Sequence, residues 1–233
     1  MYPLEKSTIP GEITMSRLYG DTHRKLQDEQ ETRALADRIE EIACKTEFDD
    51  DSKGFIESLD MFFLSTVDHD GRPTVSYKGG FQGFVRVIDS ATLMFPVYNG
   101  NGMQYSMGNI VGSVEVGMLF MSFERPHRIR VQGKGQVSKD PELLKQYKEA
   151  EFVVKVTLSE LWQNCPRYIH RYTKDSDSRY VPSNECATPL AEWKRFEFLQ
   201  DVLNESDAKK ARDSGFIQVE DWVEKIKAGD ADV

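Results

Sequence analysis

The chain has 233 residues, of which 39% are hydrophobic and 30% charged, and its net charge is −9 at pH 7. A chain of this length buries about 70% of its unfolded surface, so it needs no disulfide or metal to hold a core. The acidic balance disfavours a general nucleic-acid binder, because such a protein needs a basic surface to neutralise phosphates.

The cysteines and the hydropathy pattern predict a cytoplasmic protein. Cys44, Cys165 and Cys186 are odd in number, far apart and without CxxC spacing, which is typical of reduced thiols. No apolar run approaches the roughly 20 residues of a membrane span, and the acidic N-terminus does not resemble a signal peptide. The four histidines and scattered acids show no metal-ligand spacing. We therefore expect no membrane partner and no metal.

The first part of the chain, residues 1–59, is predicted to be a helical extension. Residues 1–20 are irregular, with two prolines and two glycines. From about residue 22 to 44, apolar residues recur at helical spacing with charged residues between them. The acidic segment that follows is predicted to cap a short helix with Phe55, Ile56 and Leu59 facing inward.

The middle part, residues 60–172, is predicted to be a β-barrel. Short apolar segments recur there at 8–12-residue spacing, separated by turn signals such as Asp70-Gly71. The predicted strands cover residues 61–68, 74–79, 84–89, 91–98, 115–123 and 128–138, and residues 153–164 begin as a strand. A helix is predicted over 140–152, with Asp140 as its cap and Pro141 at its first position.

The last part, residues 173–233, is predicted to be a loop followed by helices packed on the barrel. Residues 172–189 are polar and loop-like, and helices are expected over 191–204 and 221–229. The tail can equally reach a second subunit, and the pattern leaves both arrangements open.

The segment "NGNGMQYSMGNI", residues 99–110, is the first candidate for a binding site. Its glycines allow backbone N–H groups to converge, and "QYSMGNI" is predicted to begin a short helix. The N-terminus of a helix binds anions, so this segment is a candidate phosphate site. A glycine-rich connection between a strand and a helix is the alternative interpretation.

Two strands add cationic candidates. Lys78 ends a predicted strand and is followed by two glycines, where a ligand can approach the backbone. Arg128, Arg130 and Gln132 alternate along another strand and therefore share one face. Periodicity does not decide whether that face lines a site or meets solvent.

Together these segments resemble the pyridoxamine 5'-phosphate oxidase-like superfamily of FMN-binding split barrels. The resemblance rests on "FLSTVDHDGRPTVSYKGG", "GFVRVID", "GNGMQYSMGNI", "VGMLFMSF", "RIRVQGKG" and "NCPRYIHRY", which occur in family order over about residues 60–172. It is strongest with the uncharacterised FMN-binding branch. The "GRLHDR"-like run that recognises substrate in the vitamin B6 enzyme is absent.

The resemblance implies a mainly β fold: a six-stranded antiparallel split barrel with N- and C-terminal helical extensions. It also implies a homodimer with two FMN sites at the interface and a small-molecule substrate. The cofactor-binding positions carried over to this sequence are Val75, Ser76, Tyr77, Lys78, Phe95, Pro96, Asn101, Gly102, Met103, Ser106 and Arg128. Asn109, one helical turn beyond Ser106, is a further candidate.

This chain departs from the family at the phosphate segment, where many relatives carry one or two arginines and this chain has Gly102 and Met103. An arginine fork would bind phosphate in a bidentate manner. Here Lys78, Arg128, Arg167 and backbone N–H groups are expected to replace it. No catalytic residue is identified, although Cys165, Tyr168 and His170 are expected to line the site.

The resemblance implies an FMN-dependent oxidoreductase, in which the flavin carries the chemistry and the protein orients it. Four alternatives stay open: an F420-dependent reductase on the same fold, a non-catalytic flavin-binding protein, a haem-binding protein, and an interaction protein that has lost its cofactor. Bound colour separates the last from the others.

Overall fold

The computed structural model describes residues 16–230, and the chain divides into two compact units between Lys45 and Thr46. The described part of the first unit contains helices α1 (Asp21–Glu29) and α2 (Arg33–Ala43) and a short strand, β1 (Cys44–Lys45). The continuous helix predicted over 22–44 is thus two helices, because Glu31 adopts a φ of 56° and turns the chain. Most of the predicted irregular segment, 1–20, lies outside the described residues.

The second unit holds the sheet and the remaining helices. Its first half contains α3 (Asp50–Glu57), β2 (Met61–Val67), β3 (Pro73–Gly79), β4 (Arg86–Asp89), β5 (Thr92–Val97) and α4 (Tyr105–Ser113). Its second half contains β6 (Glu115–Ser122), β7 (His127–Ser138), α5 (Pro141–Leu144), β8 (Phe152–Gln163), α6 (Glu205–Ser214) and α7 (Val219–Ala228).

Seven strands of this unit form one antiparallel sheet in the order β3-β2-β6-β7-β8-β5-β4, which does not close on itself. A mainly antiparallel, unclosed sheet with helices before and after it confirms the predicted fold class. The strand count of six is an underestimate, since eight strands occur in the described chain. The two-residue β1 is too short to show a pattern, and β8 continues for 12 residues because it pairs with both β7 and β5.

The core is built from the alternate side chains that face inward. Along β2 every second residue is buried, so Phe62 and Leu64 point into the core. The ring of Phe62 lies 5.0 Å from that of Phe95 and 5.2 Å from that of Phe120. Each ring contributes about 1.5–3 kcal/mol by leaving water, and these contacts join β2 to β5 and β6.

The opposite face of the sheet carries a continuous cross-strand row of large side chains. Tyr77, Phe63, Leu119, Arg130 and Trp162 are consecutive partners across β3, β2, β6, β7 and β8. Tyr77 and Arg130 are exposed and the other three are half-buried. We call this row the outer face.

Helix α4 packs on β7 at a position where only glycine fits. A Cβ on Gly135 would lie 2.9 Å from Cγ2 of Ile110, and the N–H of Gly135 donates to the carbonyl of Val114 at 2.7 Å. Asn109 holds the other side of α4, because its Nδ2 donates to Oγ1 of Thr66 on β2 at 3.0 Å. These contacts hold the second half of α4 against β7 and β2, and the N-terminus of the helix lies at the candidate site.

Two predicted helices are shorter than expected. The helix predicted over 140–152 is the single turn α5, and the segment predicted as a helix over 191–204 consists of two 3-10 turns, Glu192–Arg195 and Glu197–Leu199. Phe196 separates these turns with an extended backbone (ψ 133°), and its ring stacks on Phe198 at 5.5 Å. The predicted helix over 221–229 agrees with α7.

Candidate functional site

Strand β3 directs alternate side chains to opposite sides. Thr74, Ser76 and Lys78 are half-buried, whereas Val75 and Tyr77 are 70% and 63% exposed. This alternation follows from the two-residue period of a strand. The polar side of β3 faces the cavity described below, whose wall also includes Val75.

The loop between β5 and α4 supplies the other wall of the cavity. Gly102 has a φ of 78°, and Gln104, just before α4, has a φ of 50°. The left-handed region costs glycine little, which explains the glycine at position 102. The side chain of Asn101 accepts a hydrogen bond from the N–H of Met103 at 3.1 Å and so closes the turn.

Between β3 and this loop lies a cavity of about 250 Å³. Seven of the residues predicted to bind cofactor line it: Val75, Ser76, Lys78, Asn101, Gly102, Met103 and Ser106. Thr74, Val97, Tyr98, Gly100, Gln104, Tyr105 and Met107 complete the wall. The structure thus brings together two separate segments of the sequence, residues 74–78 and 97–107.

Lys78 is the cation in the wall of this cavity. Within residues 16–230 its ammonium group has no hydrogen bond and no ion pair, and its side chain is half-buried. Burial lowers the pKa of Lys78 because desolvation disfavours the charged form. A partly desolvated ammonium without a carboxylate partner fits an anionic ligand.

The N-terminus of α4 adds backbone donors to the same wall. In the described part of the chain, no side chain caps this nine-residue helix. The first N–H groups of a helix lack partners within it, and the helix dipole makes that end positive. Ser106, in the first turn, lies 3.2 Å from Ser76 on β3 through the two hydroxyl oxygens. Both hydroxyls therefore lie where the helix meets the strand.

Tyr105 and Asp68 secure this end of α4. The hydroxyl of Tyr105 donates to Oδ2 of Asp68 at 3.1 Å. The N–H groups of Arg72 and Asp70, together with that hydroxyl, lower the pKa of Asp68. The bond to Asp68 in turn raises the pKa of Tyr105. The ring of Tyr105 is thus anchored to the turn that joins β2 and β3.

The other predicted cofactor-binding residues do not line this cavity. Tyr77 lies on the outer face, where its ring is 6.2 Å from that of Phe63. Phe95 and Pro96 are buried within β5. Arg128 is the second residue of β7 and Arg167 follows the end of β8, and both lie near Cys165.

Cys165, Arg128 and Arg167 form a second cluster. A hydrogen bond from the backbone N–H of Arg167, and then the two guanidinium groups, lower the pKa of the exposed Cys165 thiol. Nε of Arg128 and Oδ1 of Asn164 are buried without a hydrogen-bond partner in the described structure. His170 and Tyr168, also expected near the site, are exposed.

Sequence reasoning missed Thr74, Tyr98, Gln104 and Tyr105. Thr74 could have been predicted, since it precedes Ser76 and Lys78 at the same two-residue spacing. Gln104 could not have been predicted, because a left-handed backbone at glutamine has no sequence signal.

No group of three or more potential metal ligands occurs in residues 16–230. No described helix has the length and apolar character required to cross a bilayer.

Comparison with known families decides the relationship. The family model for pyridoxamine 5'-phosphate oxidase matches residues 48–165, which is 118 of the 233 residues. The chain belongs to the pyridoxamine 5'-phosphate oxidase family. The match covers α3, the sheet, the loop 99–104 and α4, so both walls of the cavity lie inside the family region. No curated protein matches the chain.

Solved structures are also similar to part of this chain. HupZ from Group A Streptococcus is 16% identical and covers 54% of this chain and 99% of its own length, with a TM-score of 0.42. An FMN-binding protein from Syntrophomonas wolfei is 10% identical and covers 60% and 97%, also with a TM-score of 0.42. An F420 reductase is 17% identical and covers 47% and 94%, with a TM-score of 0.36.

Proposed function

We propose that the cavity between β3 and α4 binds the phosphate of FMN and that the protein is an FMN-dependent oxidoreductase with a small-molecule substrate. The observation that carries this proposal is the half-buried Lys78, which has no partner among the described residues and shares a cavity with the uncapped N-terminus of α4. A cation and free N–H groups around one space are the two features that bind a phosphate in proteins.

The residues present fit the phosphate end of this cofactor. Lys78 and the first N–H groups of α4 would hold the phosphate, and the hydroxyls of Ser76 and Ser106 would donate to it or to the ribityl chain. Gly100 and Gly102 have open space where a Cβ would stand, so the ligand meets backbone there. Bound FMN would supply hydride or electron transfer, while this chain orients it and excludes water.

The cavity of one chain is small for the whole cofactor. Its volume of about 250 Å³ lies below the range of about 300–1,000 Å³ typical of ligand pockets. A second copy of the chain would complete it, with the outer face as the interface and Arg128 and Arg167 of the partner facing the flavin. The exposed side chains of Tyr77 and Val75 support this homodimer, because both lie on β3 next to Lys78 and a partner chain would cover them.

A reducing compartment is consistent with this assignment. All three cysteines are free thiols. Unpaired cysteines are the rule in the cytoplasm, where thiols are kept reduced. We therefore propose a cytoplasmic location, which fractionation of the native cells would test.

The direct test is the visible absorption spectrum of the purified protein, followed by titration of the apo-protein with FMN and sedimentation to measure oligomeric state. We expect a bound flavin chromophore, saturable uptake of FMN and a dimer. Oxidation of NADH or NADPH with transfer to an acceptor would establish enzymatic activity. Saturation by F420 but not FMN would identify a deazaflavin protein, and FMN binding without turnover a flavin carrier. Haem in the released chromophore, or no uptake of any of these ligands, would reject the proposal.

A further inference from the structure

A buried lysine of the C-terminal tail, Lys194, donates a hydrogen bond to the loop of the proposed cofactor cavity. Lys194, in the first 3-10 turn of the tail, is 4% exposed, and Asp207 on α6 is 6% exposed. Nζ of Lys194 lies 2.8 Å from Oδ2 of Asp207 and 2.6 Å from Oδ1 of Asn99. Asn99 is the first residue of the glycine-rich loop, so the tail contacts this loop directly.

Asn99 is held from both sides. Its Nδ2 donates to Oε1 of Glu151 at 2.9 Å, while its Oδ1 accepts from Lys194. The N–H of Glu151 in turn donates to the carbonyl of Val97 at the end of β5. The start of the loop is therefore fixed between the sheet and the tail.

The far end of the loop has its own anchors, which belong to the barrel. Tyr105 donates to Asp68, and Ser106 contacts Ser76. Between the two ends lie Gly100 and Gly102, residues that lose the most backbone freedom when they are ordered. A loop of this composition keeps one shape only when both of its ends are fixed, and Asn99 is the anchor on the β5 side.

Burying the charge of Lys194 costs free energy, and a contribution to stability alone does not explain why a charged residue is placed there. Removing two charges from water is expensive, and a well-packed apolar pair of similar volume is often as stable or more so. What an apolar pair does not provide is a directed donor toward Asn99. The geometry thus favours a role in placing the loop.

We propose that Lys194 is a positioning residue for the cofactor: through Asn99 it holds the loop 99–104 in the shape that receives the phosphate. The C-terminal tail, which lies outside the family-matched region, thereby becomes part of the binding apparatus. This inference rests on the proposed function of the cavity. Lys194 itself does not line that cavity.

The test is Asn99→Ala in the whole chain, because it removes the hydrogen bond to Lys194, together with the one to Glu151, and leaves the Lys194–Asp207 pair in place. We expect FMN, titrated by fluorescence quenching, to bind about fivefold to tenfold more weakly. We also expect faster amide hydrogen exchange at residues 100–104 in the apo-protein. The melting temperature should fall only slightly, because the buried Lys194 loses one acceptor but keeps its ion pair with Asp207.

Gln200→Ala is the matched control. Its Nε2 donates to the carbonyls of Lys194 and Phe196, so the variant also loses two hydrogen bonds of the tail but does not touch the loop. Its FMN affinity and loop exchange should equal those of the wild type. Unchanged affinity and exchange in Asn99→Ala would overturn the proposal, and equal losses in both variants would show that the tail acts only through general stability.

Lys78→Met separates this inference from the proposed function. If Lys78→Met weakens FMN binding and Asn99→Ala does not, the cavity binds FMN but the positioning role is wrong. If neither the wild type nor any variant binds FMN, the proposed function itself fails. In that case faster exchange at residues 100–104 in Asn99→Ala alone would still support the role of Lys194 in ordering the loop.

Discussion

Replacing Lys78 with methionine should weaken FMN binding and stabilise the apo-protein at the same time. Methionine keeps most of the aliphatic stem of lysine and removes the ammonium group. In the apo-protein that ammonium is half-buried and has no partner among residues 16–230, so its desolvation is not offset. An anionic ligand in the cavity would compensate this ammonium group, which no described residue of the apo-protein does.

The size of the binding effect follows from the type of contact that is lost. A hydrogen bond to a charged group contributes about 1.5–3 kcal/mol, which corresponds to about 10- to 150-fold in the dissociation constant. The lower half of this range is expected, because the cavity is open and solvent screens the charges. The stabilisation of the apo-protein should raise its melting temperature, since the pKa of Lys78 is lowered by burial and its charged form therefore favours the unfolded state at neutral pH.

The measurements are FMN fluorescence quenching at fixed low ionic strength and thermal unfolding of the apo-protein. Lys53→Met is the control, because Lys53 lies exposed on α3 and does not line the cavity. A Lys78→Met protein that binds FMN within twofold of the wild type would refute the role of Lys78. A drop in its melting temperature would refute the argument that the ammonium is uncompensated in the free protein.

Three further predictions concern pH, helix placement and the core. In the wild type, FMN affinity should fall as pH rises through the lowered pKa of Lys78, because the ligand prefers the charged ammonium. FMN titrations from neutral to alkaline pH should show this decrease. If the decrease persists in Lys78→Met, it belongs to another group. Gly135→Val should lower the free energy of unfolding by about 1–3 kcal/mol, since even a Cβ there would lie 2.9 Å from Ile110. It should also weaken FMN binding, because it displaces α4. Unchanged stability in denaturant unfolding would contradict the packing argument. Phe62→Ala should lower the free energy of unfolding by about 3–5 kcal/mol, because Phe62 is buried against Phe95 and Phe120. Phe198 is 67% exposed, so Phe198→Ala should change it by less than about 0.5 kcal/mol. Comparable losses in both variants, measured by denaturant unfolding, would mean that the three-ring contact does not form the core.

Local patterns predicted the β-sheet well. Alternation along β2 and β3 and the turn at Asp70-Gly71 identify the first hairpin, and its observed register pairs Met61 with Gly79 and Val67 with Pro73. Such signals are strong because a strand shows its buried face every second residue. The tail was harder to predict: α6 went unpredicted because its sequence, "ESDAKKARDS", has almost no apolar periodicity, and Asn204 caps it by accepting from the N–H of Asp207.

The candidate site was predicted in part, for a physical reason. Lys78, Asn101, Gly102 and Ser106 line the cavity because a strand end and a helix start carry recognisable residue types. Which side of a strand faces that cavity depends on packing, and the resemblance carried Tyr77 over together with its neighbours on both sides of β3, whereas the ring of Tyr77 lies on the outer face.

The electrostatics of the whole chain explain why the local arrangement matters. At a net charge of −9 the protein repels an anion at long range. Attraction must then come from groups within a few ångströms, where one ammonium and a helix N-terminus act in a partly desolvated space with little screening. An arginine would bind the phosphate through two N–H groups at once, whereas a lysine offers a single charged centre and the N–H groups of a helix are fixed by its backbone. A site without an arginine fork therefore depends on the position of the loop, and Lys194, paired with Asp207, donates to Asn99 at the start of that loop.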